Sequence, residues 1–135
     1  MAMRYELTDD LLTGNTLIDS EHRQLFAAIN DLMDACSKGQ GRDKIMSTAR
    51  FLFDYVNKHF SDEERLQTTS KYPNYPAHKQ FHENYKKQLA QTNQELIAEG
   101  PTVKALGDLN RVVGVLVSHI RVEDKKLARH VRENG

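Results

Sequence analysis

The sequence predicts an all-α protein, an up-down-up-down antiparallel four-helix bundle preceded by an N-terminal arm. Three observations lead to this fold class. Apolar residues recur at helical spacing in four segments. The three prolines and a cluster of two glycines fall between those segments or at the start of one, where they mark three breaks. The connections are short, which suits antiparallel neighbours in a bundle.

Each helix is delimited by its own signals. Asp19 is a suitable N-cap for the first helix, and Pro76 is tolerated in the first turn of the third. The predicted boundaries of the four helices are about 19–37, 42–66, 76–99 and 103–131. Residues 1–18 would form the arm that packs across the bundle. The whole chain, 1–135, is then expected to be one domain.

Composition narrows the class of partner and the compartment. Lysine plus arginine and aspartate plus glutamate both number 19, so the formal charge is zero. A neutral chain favours neither nucleic acid nor an anionic membrane surface as a partner. No apolar run is long enough to span a bilayer, no signal-peptide pattern opens the chain, and a single cysteine cannot form an internal disulfide. We therefore expect a cytoplasmic monomer.

Polar residues interrupt the apolar faces of all four helices at one level. The seven are His22, His59, Glu63, His78, His82, His119 and Asp124. Counted from the end of the bundle that carries the first and third connections, they lie about 15 to 21 residues along their helices, within roughly 9 Å of one another on the bundle axis. Seven polar groups should therefore converge in one layer of the core.

A buried layer of this kind is best explained by metal. Five imidazoles cannot all pair with two carboxylates in a dry core, and a partly satisfied network is destabilising. Neutral histidines and ionised carboxylates are natural metal ligands. Seven ligands exceed the four that tetrahedral zinc takes and suit two metals. The mixed nitrogen and oxygen set fits iron, although softness alone does not exclude manganese, cobalt or zinc.

The count of bonds leaves one coordination position open. Two six-coordinate metals need about twelve bonds. Five histidines, two bridging carboxylates and a bridging oxo or hydroxo group together supply eleven. A vacant position is where a small ligand would bind.

The carboxylate of the fourth helix is ambiguous by spacing alone. Glu123 lies four residues after His119, as expected of two residues on one helix face. Asp124 lies five residues after it but falls between Ile120 and Leu127 on the apolar face. Both remain candidates on this evidence.

The four ligand-bearing stretches resemble those of the hemerythrin family, in particular the bacterial hemerythrins. They are TGNTLIDSEHRQLFAAIN around His22, YVNKHFSDEE, YPNYPAHKQFH and VSHIRVED. The resemblance implies a non-haem di-iron centre in which His78, His82 and His119 hold one iron. His22 and His59 would hold the other, which keeps the open position. Glu63 and Asp124 would bridge the irons, so the resemblance selects Asp124, and a single π-turn would align it with His119.

The resemblance also implies the function, which is reversible dioxygen binding for storage, transport or sensing rather than catalysis. Nitric oxide is an alternative gas. An apolar wall around the bound gas is expected from Leu25, Phe26, Ile29, Val56, Phe60, Val115 and Leu116. The chain departs from the family in having no tryptophan, with Val115 where one is common, and in having Gln67 where methionine is usual.

Two other functions compete with gas binding. One is a di-iron oxidase or peroxidase, and the other is a bundle that stores metal or uses it structurally. Ferritin-like di-iron enzymes carry two Glu-x-x-His pairs, and this sequence contains none. That absence argues against the ferritin-like class of enzyme.

Overall fold

A computed structural model describes residues 5–39 and 41–134 of the chain, which fold as an antiparallel four-helix bundle. The helices are α1 Thr16–Ser37, α2 Arg42–Thr69, α3 Tyr75–Glu99, α4 Val103–His119 and α5 Lys125–Asn134. A π-helical turn, Ile120–Asp124, joins α4 to α5, and the three together make the fourth rod of the bundle. Within the described ranges there is no strand. Residues 1–4 of the predicted arm, Gln40 and Gly135 lie outside the described residues.

The first helix begins earlier than predicted. Asn15 is its N-cap, and the side-chain oxygen accepts a hydrogen bond from the Ile18 backbone N–H at 3.0 Å. Asp19, the predicted cap, is buried instead, and its carboxylate accepts from the backbone N–H and hydroxyl of Thr13 at 2.9 and 2.8 Å. Asp19 therefore ties the arm to the first turn of α1 rather than starting the helix.

The remaining helix ends follow from local chemistry. The second helix continues three residues past the predicted 66 and stops before Lys71, whose φ of 57° leaves the helical region. The third helix ends at Glu99, because the next residue, Gly100, has a φ of 81°, a conformation that favours glycine. The Thr102 hydroxyl accepts from the backbone N–H of Ala105 and caps α4.

The described part of the N-terminal arm crosses α1 and reaches α4. The backbone of Tyr5 exchanges two hydrogen bonds with the Asn30 side chain, both at 2.9 Å. The Tyr5 hydroxyl donates to the Asn110 side chain at 3.3 Å. These hydrogen bonds hold the arm across α1 and α4.

The apolar core is divided into two clusters by the polar layer. The larger cluster contains residues such as Leu25, Leu52, Leu89 and Leu116. The smaller consists of Ile18, Tyr72, Leu127 and Ala128. On every helix the predicted ligands lie in sequence between residues of these two regions, so the polar groups are held between two apolar layers.

None of the helices in the described ranges combines the length and the apolar character needed to cross a bilayer.

Candidate metal centre

The fold brings all seven predicted ligand residues together in its interior. They come from α1, α2, α3, the end of α4 and the π-turn. Their exposed fractions are His22 0%, His59 0%, Glu63 1%, His78 4%, His82 0%, His119 6% and Asp124 1%. Burying so many ionisable groups is costly unless they are paired or bind a metal.

These residues form two groups that share a carboxylate. One group consists of Glu63, His78, His82 and His119, and we call it the three-histidine group. The other consists of His22, His59, Glu63 and Asp124, and we call it the two-histidine group. Within each group, one donor atom per residue lies within 4.8 Å of all the others.

Each carboxylate directs one oxygen to each group. Glu63 Oε1 lies 3.2 Å from His82 Nε2, whereas Oε2 lies 3.4 Å from His59 Nε2. Asp124 Oδ1 lies 3.1 Å from His119 Nε2, whereas Oδ2 lies 3.1 Å from His22 Nε2. Two carboxylates that straddle the groups in this way have the geometry of bridging ligands.

The donor atoms fit metal ions better than they fit one another. Among the described residues, His22 Nε2, His59 Nε2, His82 Nε2 and both Glu63 oxygens are buried and have no hydrogen-bond partner, although their neighbours lie 3.1 to 3.9 Å away. Neighbouring ligands at right angles around one metal, each about 2.1 Å from it, are separated by about 3.0 Å. These atoms are therefore separated by about the distance expected between neighbouring ligand atoms of one metal ion, although they do not form hydrogen bonds with one another.

The π-turn explains which acidic residue enters the centre. The turn adds one residue to the rod between His119 and α5, as expected if the two ligands are five apart. Asp124 is 1% exposed, whereas the Glu123 side chain is 41% exposed and lies 3.7 Å from Lys126. The predicted π-turn is confirmed, and it directs Asp124 inward and Glu123 outward.

Two further carboxylates contact the histidines from outside the centre, and spacing alone did not predict them. Glu21 accepts a hydrogen bond from His59 Nδ1 at 2.8 Å, and Glu64 accepts one from His82 Nδ1 at 2.9 Å. Each contact fixes the ring so that Nε2 faces inward, a common role for a carboxylate behind a metal ligand. Each of these carboxylates is adjacent in sequence to a predicted ligand. Helical periodicity, however, does not show which neighbouring helix its side chain contacts.

Aromatic rings hold two histidines of the three-histidine group. Phe60 stacks on His82 with ring centroids 3.8 Å apart, and Phe81 stacks on His119 at 3.9 Å. Both pairs are nearly parallel, with interplanar angles of 2° and 4°. These stacks restrict ring rotation on this side of the centre.

Electrostatics keep the carboxylates ionised. Burial lowers the pKa of His59, but Glu63 and Glu21 outweigh it and raise that pKa to about 10. Burial is likewise outweighed at His78, where contacts with Asp124 and Glu63 raise the pKa to about 9. Burial opposes the charge on both Glu63 and Asp124, yet the surrounding histidines hold both carboxyl pKa values well below their ordinary range. A metal would have to displace protons from His59 and His78.

Six of the seven residues expected to line the gas pocket are buried in the larger apolar cluster: Leu25, Phe26, Ile29, Val56, Phe60 and Leu116. Val115 is different, because it is 38% exposed and borders a surface groove beside Phe81. Its expected place in a closed pocket is wrong, since it lies on the outer face of α4.

Gln67 is buried one turn beyond Glu63. It is 0% exposed, and neither side-chain amide atom has a hydrogen-bond partner in the described ranges. Helical side chains lean toward the N-terminus of their helix, which directs this amide toward the turn that carries Glu63. A polar group without partners therefore lies beside the layer of ligands.

Comparison with known proteins agrees with this architecture. The Hemerythrin HHE cation binding domain family matches residues 13–131. The chain is similar to a bacteriohemerythrin of Pseudomonas aeruginosa, with 33% identity over 93% of this chain and 80% of the relative. It is also similar to a myohemerythrin of Sipunculus nudus, with 33% identity over 82% of this chain and 79% of the relative. A crystal structure of a hemerythrin point mutant superposes with a TM-score of 0.82 at 26% identity, covering 97% of this chain and 98% of the other. The chain therefore belongs to the hemerythrin family.

Proposed function

We propose that the two groups hold two iron ions and that the centre binds dioxygen reversibly. His78, His82 and His119 would hold one iron, His22 and His59 the other, and Glu63 and Asp124 would bridge them. Family membership supports iron and oxygen as the ligands. Two ferrous ions bound here would lend one electron each to dioxygen and recover them on release.

The observation that carries the proposal is the unequal number of donors. The three-histidine group has three nitrogens and Glu63 Oε1, and Asp124 Oδ1, which lies 3.2 Å from His78 and 3.1 Å from His119, adds a fifth donor atom. The two-histidine group has two nitrogens, Glu63 Oε2 and Asp124 Oδ2, which makes four. One bridging oxo or hydroxo group would raise these numbers to six and five. The vacancy is therefore expected at the iron held by His22 and His59.

The surroundings of His22 and His59 suit a reversible ligand. Both residues are 0% exposed, and the adjoining core contains Leu25, Phe26 and Phe60. An apolar, water-excluding wall limits the supply of protons, which would otherwise drive irreversible oxidation. Among the described residues, the buried acids that contact His22 and His59 are the proposed ligands and Glu21, whose carboxylate already accepts from His59 and Lys58. Storage or sensing of gas fits such a site better than turnover of a substrate.

The test is an absorption spectrum of the iron-loaded protein. The reduced protein should be nearly colourless without oxygen, gain a visible band in air and lose it under vacuum, over repeated cycles. Iron analysis should give two ions per chain. Immediate, irreversible oxidation without such a band would favour the oxidase or peroxidase alternative. Tight binding of metal with no response to oxygen would favour a structural or storage role.

A further inference from the structure

The histidines of the centre differ in how close they lie to the surface. Three of the five, His22, His59 and His82, are 0% exposed. The other two, His78 and His119, are 4% and 6% exposed, and both belong to the three-histidine group. A metal ion approaching from solvent therefore meets this group first.

A groove leads to these two histidines. It has a volume of about 240 Å³ and is lined by Asn74, Ala77, His78, Phe81, His119 and Glu123. Its polar groups comprise a carboxylate and a carboxamide as well as the two imidazoles. The Asn74 side chain makes no capping hydrogen bond to α3, although the residue is at the N-cap position. Oxygen donors together with buried nitrogen donors suit a divalent cation that exchanges water for protein ligands.

A second groove that also borders Phe81 is larger but less suited to a cation. It has a volume of about 620 Å³ and is bordered by Arg111 as well as by His119 and Glu123. The permanent positive charge of a guanidinium repels an approaching cation. The smaller groove has no arginine or lysine in its lining.

The outward position of Glu123 is what gives the smaller groove its charge. The π-turn directs Asp124 to the centre and leaves Glu123 at the surface beside it. Its contact with Lys126 is 3.7 Å long, and the Lys126 side chain is 59% exposed. Such an exposed ion pair is weak and can yield to a metal ion.

We propose that a hydrated divalent cation enters the centre through this smaller groove, with Glu123 and Asn74 binding it before it passes to His78 and His119. We call it the loading groove. The proposal rests on the metal centre proposed above. It assigns Glu123 a role in the rate of metal uptake and none in the final occupancy.

The test compares metal-free wild-type protein with Glu123→Gln and Glu83→Gln, using cobalt(II) as the probe. Glu83 is a matched control, since it also pairs with a lysine three residues later and its side chain is 45% exposed, but it does not line the loading groove. At low ionic strength, Glu123→Gln should slow cobalt uptake by about tenfold, because it removes the charge that attracts the cation. Release of cobalt to EDTA should slow by the same factor, with the final content unchanged. High salt should shrink the difference, and Glu83→Gln should behave as wild type.

Three outcomes would overturn the proposal. Equal rates in all three proteins, with full wild-type occupancy, would refute the loading groove and leave the metal centre standing. A lower cobalt content with faster release in Glu123→Gln would make Glu123 a ligand instead. A wild-type protein that binds no cobalt and no iron would refute both the groove and the proposed function.

Discussion

The three-histidine and two-histidine groups differ in donors, burial and support. With Asp124 Oδ1 counted, the first has five donor atoms against four, two stacked phenylalanines and the two histidines nearest the surface. The second has fewer donors, and both of its histidines are fully buried. The side on which we propose a vacant position is thus the side more protected from water. Under the two proposals above, one bundle would separate the entry of metal from the pocket for a gas.

The largest effect is expected where one residue serves both groups. Asp124→Ala removes Oδ1 from one group and Oδ2 from the other. It leaves His119 without a nearby carboxylate, and it leaves His22 and His78 with Glu63 alone. Metal analysis after reconstitution should show occupancy falling from two ions per chain to fewer than one. Glu123→Ala should retain two at equilibrium. A silent Asp124→Ala would show that the groups are not bridged by this residue.

The dependence on pH tests whether each group holds a displaceable proton. In the metal-free protein, the raised pKa values of His59 and His78 add stability that is complete below pH 6.5 and is lost as pH rises through about 9 to 10. The depressed pKa values of Glu63 and Asp124 add stability that is present above about pH 4.5 and is lost on acidification. The metal-free protein should therefore be most stable between about pH 4.5 and 6.5.

Metal binding should show the opposite trend above that range, where the stability of the metal-free protein falls. Because His59 and His78 must lose protons to bind, apparent metal affinity should rise by about tenfold per pH unit for each proton displaced, between about pH 6.5 and 9. Calorimetry in buffers of different ionisation enthalpy would count the protons released. An affinity independent of pH over this interval would contradict the assignment of these two histidines as ligands.

Glu21 and Glu64, which accept hydrogen bonds from ligand histidines, should affect the metal affinity of the two groups to different extents. Glu21→Gln keeps an acceptor for His59 Nδ1 but removes its charge, and it should weaken metal at the two-histidine group by about tenfold. Glu64→Gln makes the same change behind His82. Its effect should be smaller, because the Glu64 side chain is 19% exposed, whereas that of Glu21 is 4% exposed. Metal titrations of both variants would reveal equal losses if burial does not matter.

The last effect is expected at a residue that belongs to neither group, and it concerns the metal-free protein. Gln67→Met replaces a buried amide that lacks partners with an apolar side chain of similar length. The free energy of unfolding of the metal-free protein should rise by about 1 to 3 kcal/mol. Urea denaturation would measure it, with Gln67→Glu as a destabilising control. A loss of stability in Gln67→Met would mean that buried water satisfies the amide.

Helical periodicity was enough to predict the fold class, which is confirmed. Gly100 and Pro76 gave two helix ends within a residue or so, because each has a strong local preference. The start of α1 was wrong, since Asn15 and Asp19 are both good caps and only the packing of the arm decides between them. Local rules therefore fail where tertiary contacts compete for the same side chain.

The candidate site was predictable to the extent that it follows helix faces. His59 with Glu63 and His78 with His82 share a face by spacing alone. The π-turn at Asp124 needed the family resemblance, since an uninterrupted helix would favour Glu123. Glu21 could not be predicted, because its contact with His59 depends on the rotation of α1 against α2. The exposure of Val115 was not predicted either, because helical spacing does not show which residues lie at the border between the buried and the exposed face of a helix.

The π-turn can also be regarded as an insertion that the helix absorbs locally. An α-helix advances about 100° per residue, so one extra residue would ordinarily turn everything beyond it away from the core. Here the wider turn takes up that rotation within Ile120–Asp124, and Leu127 remains fully buried beyond it. Deleting Glu123 would leave His119 and Asp124 four residues apart, the spacing of one ordinary helix face. The additional residue is therefore not needed to align the two. Its effect is to add a surface carboxylate next to a buried one, so that a single inserted residue can supply a new functional group without altering the packing on either side.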